Sequence, residues 1–289
     1  MFNKKRHYLV LLTFILILTL LTGCFLLEDD TDLSIHIIDV GQGDSIFIRT
    51  PNGKTMLIDA GEPSAGKTVV SYLNRHYIDK IDILIGTHPH ADHIGGLAEV
   101  INNFEIGKIY MPRKIHTSKT YEKLLETIRD NGLKITEAKS DITVELDDDI
   151  YLYFLNPLRD FGDDLNLWSV VLKMEYKDTS FLFTGDLESP VELELLEKYD
   201  PDFLKSDFLK VGHHGSNTST SQKFLDNVQP IVAVISSKTG NSYGHPHKEV
   251  IDRLTKMNIN VYRTDKQGNI VIRSDGEMIW SNQEPYHSN

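Results

Sequence analysis

A single cysteine, Cys24, stands in 289 residues. Disulfides therefore contribute nothing to stability, and a thiolate-rich structural zinc site is excluded. Positive charge is also scarce: 30 Lys and Arg face 42 Asp and Glu, a formal −12. A globally acidic surface repels nucleic acid, so broad non-specific binding to DNA is not expected. There is no low-complexity stretch, no solenoid-type period and no Pro/Gly/Ser linker marking a second domain. At 40% hydrophobic content the chain can bury a large core, and one domain is expected.

One long apolar run exists, from Tyr8 to Leu21, behind Asn3-Lys4-Lys5-Arg6 and ahead of Leu21-Thr22-Gly23-Cys24. This pattern reads as a secretory signal, and its ending resembles a bacterial lipobox. The resemblance implies cleavage behind Gly23 and lipidation of Cys24. The expected layout is a signal peptide at 1–23, a tether at 24–33 and a catalytic domain at 34–282, held by lipid on the extracellular face of the cell membrane. An uncleaved anchor is the alternative, although the run is marginal for a span. Removal of the signal leaves 27 basic against 42 acidic side chains, about −15, and suggests a monomer.

The chemistry concentrates in Thr87-His88-Pro89-His90-Ala91-Asp92-His93-Ile94-Gly95-Gly96. Three imidazoles and a carboxylate fall within six residues, behind the apolar run Ile81 to Gly86. The run is short and β-branched, as in a buried parallel strand. The residues after it read as a helix from Asp92 to Asn102. Neutral imidazole and carboxylate suit Zn, Mn or Fe in an open hydrolytic site.

Other strand ends carry similar groups. Asp59 follows Met56-Leu57-Ile58, Asp186 follows Phe181 to Gly185, and His213-His214 follow Lys210-Val211-Gly212. His245 and His247 follow the strand Ile231 to Ile235. Seven of the eleven histidines beyond the signal lie in these three loops. Strands are expected at 34–40, 44–50 and 55–60, opening the chain as a meander, with alternating helices and strands after Lys67. A basic strip, Lys108, Arg113, Lys114, His116, Lys119 and Lys123, interleaved with Tyr110 and Tyr121, reads either as a lip facing substrate or as a solvated loop.

The segment His88-x-His90-x-Asp92-His93 resembles the signature of the metallo-β-lactamase superfamily. That resemblance implies an α/β fold, a four-layer αβ/βα sandwich, with one or two divalent ions (Zn or Mn) at the sheet edges. It implies His88, His90, Asp92, His93, Asp186 and His213 as ligands, Asp186 bridging, and Asp59 supporting the histidine loop. His214 is the alternative to His213. Dinuclear relatives carry one more histidine before the bridging aspartate, where this chain offers Asn156, Asp163, Asn166 and Ser169.

That departure, with Ile38 to Ser45, Asn166-x-x-Ser169, His213 to Ser216, Tyr243-Gly244-His245-Pro246 and the ending Thr264 to Ile270, is similar to the hydrolase domain of ComEC-type competence proteins. The likeness runs from Ser34 to Trp280. It implies cleavage of phosphodiesters in single-stranded DNA or in a cell-surface polymer, with Asp92, His214 and His245 in catalytic roles. The competing class is a lipid-anchored, non-catalytic metal-binding protein.

Overall fold

The computed structural model describes residues 32–287. The expected signal peptide, Cys24 and nearly all of the expected tether lie outside the described residues. No described helix is long and apolar enough to cross a membrane.

The first six strands are β1 (Leu33–Ile37), β2 (Ile46–Arg49), β3 (Thr55–Ile58), β4 (Lys80–Ile85), β5 (Glu105–Met111) and β6 (Ile135–Glu137). The next seven are β7 (Ile142–Asp147), β8 (Ile150–Asn156), β9 (Val171–Tyr176), β10 (Thr179–Phe183), β11 (Phe208–Lys210), β12 (Val232–Ile235) and β13 (Asn260–Arg263). The last two, β14 (Ile270–Ser274) and β15 (Ile279–Ser281), return to the first group. The result is an eight-stranded sheet, β15-β14-β1-β2-β3-β4-β5-β6, and a seven-stranded sheet, β13-β12-β11-β10-β9-β8-β7.

Three apolar clusters make this a four-layer sandwich. The largest joins both sheets, with Ile35, Ile46, Met56 and Ile85 against Leu152, Leu172, Phe181 and Phe208. The second packs Phe47, Leu57 and Leu84 under Val69, Leu73, Leu97 and Leu124 of the helices on one side. The third packs Leu182, Leu209 and Ala233 under Val191, Leu195, Phe224 and Leu254 on the other. Strands covered on both faces read as continuous apolar runs, which is why β4 and β10 were legible.

β3, β4 and β5 run parallel to one another, as do β10, β11 and β12. Their carboxyl ends therefore open on one edge of the sandwich, the customary place for a ligand in α/β sheets. The expected helix 92–102 is instead two, Ala91–Ile94 and Leu97–Asn103, meeting at Gly95-Gly96. A Cβ at Gly96 would lie 2.2 Å from the Ala60 carbonyl oxygen, so this junction must be glycine for the histidine loop to sit against the end of β3.

Candidate metal centre

The end of β4 delivers His88 and His90 in a loop and Asp92 and His93 on the first helical turn after it. The end of β3 delivers Asp59, whose φ of 57° turns its carboxylate back across the sheet edge. Asp59 accepts hydrogen bonds from the Thr87 amide (2.8 Å) and hydroxyl (2.6 Å), and from His93 Nδ1 (2.8 Å). This fixes the His93 ring with Nε2 aimed inward, 3.2 Å from Asp186 Oδ1. A carboxylate that spends itself on the far nitrogen of an imidazole is the usual support for a ligating histidine.

From the second sheet, β10 ends at Asp186 and β11 leads to His213 and His214. Both histidines have left-handed backbone, φ 47° and 54°. Such conformations are costly for residues with a Cβ and concentrate at functional sites. The double kink sends the two side chains apart. His214 is buried, donates from Nδ1 to the Ser236 carbonyl (3.1 Å) and places Nε2 3.4 Å from both Asp92 Oδ2 and Asp186 Oδ1. His213 keeps its Nδ1 3.1 Å from Glu188 Oε1 and its Nε2 3.8 Å from Asp186 Oδ2, on the pocket wall.

Two groups able to hold a cation share Asp186: Asp92, His93, Asp186 and His214, and His88, His90 and Asp186. Of the two histidines that the sequence left as alternatives, His213 the preferred one, the geometry favours the second. His214, not His213, joins the first group, because the kink turns the second histidine inward. His214 is enclosed by Asp44, Asp92 and Asp186, as a ligand would be.

The donor set fits a divalent ion. His93 Nε2, Asp186 Oδ1 and His214 Nε2 are buried atoms with no hydrogen-bond partner, although all three converge. Buried polar atoms are almost always satisfied, so three orphans facing one point mark a place for a cation. Electrostatics agrees. Burial opposes charge on His93 and His214, yet Asp186 with Asp59, and Asp186 with Asp44 and Asp92, hold both imidazoles well above their usual range. Burial likewise opposes the Asp186 charge, and His214 and His93 outweigh it and keep that carboxyl well below its ordinary value. The carboxylates thus recruit positive charge, which a proton or a metal can supply.

A buried lysine completes the support. Lys210 Nζ lies 2.8 Å from Asp44 Oδ2, with both side chains almost fully buried. Asp44 in turn lies 3.5 Å from His214 Nδ1. The glycine before it is obligatory, since a Cβ at Gly43 would lie 2.1 Å from the Asp92 carbonyl oxygen. Where the additional histidine was missed, Ser169 Oγ stands 3.3 Å from His88 Nδ1 and accepts from the Asp186 amide. Asn156 holds that segment through the Leu167 and Ser169 carbonyls, and Asn166 donates to Glu188. Asp163 is exposed and pairs with Lys114, away from the cluster.

The centre opens into a cavity of about 420 Å³ lined by Gln42, Glu62, His90, Asp92, Asp186, His213, His214, Tyr243 and His245. His245 reaches it as the sequence suggested. Burial, then His213 and His214, push its imidazole down to about 4. The basic strip divides: Tyr110 and Tyr121 are core residues, and Lys114 is turned onto the Gly162 carbonyl. Glu188, Lys210, Gln42 and Glu62 were not singled out from sequence. Lys210, a charge inside an apolar strand, was the one readable signal among them.

The chain belongs to the metallo-beta-lactamase superfamily, whose family model matches residues 38–237. More particularly, it is related to competence proteins. It is 34% identical to ComE operon protein 3 of Bacillus subtilis over 90% of this chain and 35% of that protein. It is 32% identical to competence protein ComA of Neisseria gonorrhoeae over 83% and 32%, and 29% identical to recombination protein 2 of Haemophilus influenzae over 82% and 28%. The chain therefore spans about a third of the length of the curated relatives it matches. Among solved structures, CmlA, a diiron β-hydroxylase from Streptomyces venezuelae, aligns with a TM-score of 0.53 at 17% identity, covering 84% of this chain and 54% of that one. Tm1679, a metal-dependent hydrolase of the β-lactamase superfamily, aligns at 0.51 and 14%, covering 80% and 95%. A hydroxylase and a hydrolase on one fold mean that the reaction must be argued from the site.

Proposed function

We propose that this protein is a metal-dependent phosphodiesterase using zinc or manganese. The carrying observation is the convergence of His93 Nε2 and His214 Nε2 on Asp186 Oδ1, at 3.2 and 3.4 Å, all three buried and without a well-formed hydrogen bond, beneath a cavity that Asp186 and His214 line. Asp92, His93, Asp186 and His214 would hold one ion, and His88, His90 and Asp186 a second. A bound divalent ion supplies Lewis acidity toward a phosphoryl oxygen and a water acidic enough to ionise near neutral pH.

The protein's own residues do the rest. Asp59 and the Ser236 carbonyl fix the tautomers of His93 and His214, leaving both Nε2 atoms for the cluster. His213 and His245, with ring centroids 5.4 Å apart, form the wall beside Asp186 and offer imidazole nitrogens to the phosphate and the departing oxygen. His245 lines the cavity beside His213, within reach of a leaving oxygen.

Relatives named as competence and recombination proteins favour DNA as the polymer. A cell-surface phosphodiester remains the second substrate, favoured by the lipid anchor that residues 1–24 suggest, which would place a monomeric enzyme outside the cell. Hydrolysis of bis(p-nitrophenyl) phosphate with zinc or manganese tests the chemistry directly. Turnover lost in Asp92→Ala and His90→Ala supports the reading. Full metal occupancy with no turnover would instead make this a metal-binding protein without catalysis.

A further inference from the structure

The loop 236–247, between β12 and the helix Lys248–Lys256, forms one rim of the cavity and carries its one strongly exposed aromatic ring. Tyr243 is 65% exposed and lines the cavity. It stacks on His245 at 5.6 Å between centroids and 24° between planes, so one face is backed by the site histidine and the other is open. An exposed tyrosine is ordinarily unremarkable. This one differs in being held.

Asn241 is the clamp. Its Oδ1 accepts from the Tyr243 amide (3.1 Å) and the His245 amide (3.0 Å), and its Nδ2 donates to the carbonyls of Lys238 (2.9 Å) and His245 (2.5 Å). The Lys238 amide also reaches Gln42 Oε1 at 3.4 Å, tying the loop to the turn that bears Asp44. The backbone that carries the ring is therefore fixed, and the ring itself rests on His245. Lys238 sits exposed on the same loop, against Gly41.

We propose that Tyr243 is a stacking platform for the nucleobase next to the phosphate at the metal centre, with Lys238 meeting the following phosphate of a single strand. This rests on the phosphodiesterase reading and names its substrate class. A backed, rigid aromatic face beside a phosphate-sized cation site suits a base, because every base offers a flat π face at little cost in ordering the protein. The surroundings favour it over a quaternary ammonium group. His245, which backs the ring, is itself packed against His213 and His247, and a lysine stands on the same loop. A single loop with one base platform also explains how an acidic protein binds nucleic acid locally: it contacts one or two nucleotides, not a long run of phosphates.

The test is equilibrium binding to the metal-loaded full chain by fluorescence anisotropy, using a cleavage-resistant phosphorothioate octanucleotide and an abasic strand of equal length. Wild type should prefer the base-bearing strand by about tenfold, from the usual worth of one aromatic stack. Tyr243→Ala should erase that preference, and Tyr243→Phe should retain it. Lys238→Ala should weaken both strands equally, as a phosphate contact does. Equal binding of the two strands by wild type would overturn the inference, as would a preference that survives Tyr243→Ala. So would loss in Tyr243→Ala of affinity for p-nitrophenyl phosphorylcholine rather than for the base-bearing strand. Failure of the underlying reading looks different: bis(p-nitrophenyl) phosphate is not hydrolysed, while base-dependent binding through Tyr243 persists.

Discussion

The two groups that share Asp186 are built to different standards. Around Asp92, His93, Asp186 and His214 the imidazoles are fully buried, and each is fixed from behind, by Asp59 and Thr87 on one side and by Ser236, Asp44 and Lys210 on the other. Around His88 and His90 no carboxylate among the described residues stands behind the rings: His88, fully buried, has the Thr87 hydroxyl at 3.1 Å and the Ser169 hydroxyl at 3.3 Å, and His90, only half-buried, has the 2.9 Å contact between the two histidines themselves. Ligands held by charged partners lose little freedom on binding, whereas ligands held by hydroxyls must still be ordered. The comparison teaches that one half of the centre is a preformed cation site and the other is a weaker, more open one.

The largest effect should come from the residue common to both halves. Asp186→Ala should abolish both binding steps and lower kcat/KM by at least about 10³-fold, ~4 kcal/mol in transition-state terms. Titration followed by plasma emission would show fewer bound ions than in wild type. A variant that kept one full equivalent would break the picture of a shared bridge.

Lys210→Met separates folding from binding. It leaves the buried Asp44 carboxylate without its lysine, at a cost of about 3–5 kcal/mol in urea unfolding. Adding Asp44→Leu removes the orphaned charge and should restore most of that stability, because apolar replacements of buried pairs are often neutral. Metal affinity of the buried half should not recover, since His214 has lost a supporting carboxylate. Recovery of both would mean that the Lys210–Asp44 pair serves the fold alone.

Asp59→Asn and His90→Ala sharpen the contrast within the centre. Asp59→Asn should weaken the tighter step by about 10- to 100-fold, the usual worth of a carboxylate behind a ligating histidine. His90→Ala should remove the weaker step and leave the tighter one in place. Competition with a fluorescent chelator resolves the two, and one merged step in wild type would contradict their inequality.

What the sequence made legible follows the same division. Strands buried on both faces announce themselves by composition, and β4 and β10 end on the residues that matter, so His88 through His93 and Asp186 could be located as loop residues facing one edge. The choice between His213 and His214 could not, because two adjacent left-handed residues reverse the expected directions of their side chains. The expected strand 34–40 ran past its end for a related reason: Ile38 is fully buried, but in the cluster under the helices, after β1 has stopped. Short half-exposed strands such as β6 leave little apolar pattern to read. Asp44 could be noticed beside its glycine turn, but the pairings could not: Lys210 meets Asp44, and Glu188 meets His213, across tens or hundreds of residues of sequence separation, which no local pattern encodes.

The remaining effect concerns acid, and it guards the comparison against a false reading. His36 lies under the helix Gly66–Arg75, remote in the sheet from the metal loops, with Nδ1 2.8 Å from the Tyr72 hydroxyl and Nε2 3.1 Å from Ser34 Oγ. Burial, then His76, Arg273 and Arg49, push it down to about 3 from 6.5. Its folded value lies below its unfolded one, so the unfolded chain binds the extra proton. Stability should therefore be unaffected by this group above pH 6.5 and fall between about 6.5 and 3, by at most about 1.4 kcal/mol per pH unit. His36→Gln should flatten that limb in urea unfolding carried out with excess chelator, where metal release plays no part. If the limb is unchanged, acid sensitivity belongs to the ionisable groups of the centre, His88 and His90 among them since burial pushes both imidazoles down, and loss of metal at low pH could no longer be separated from loss of the site that holds it.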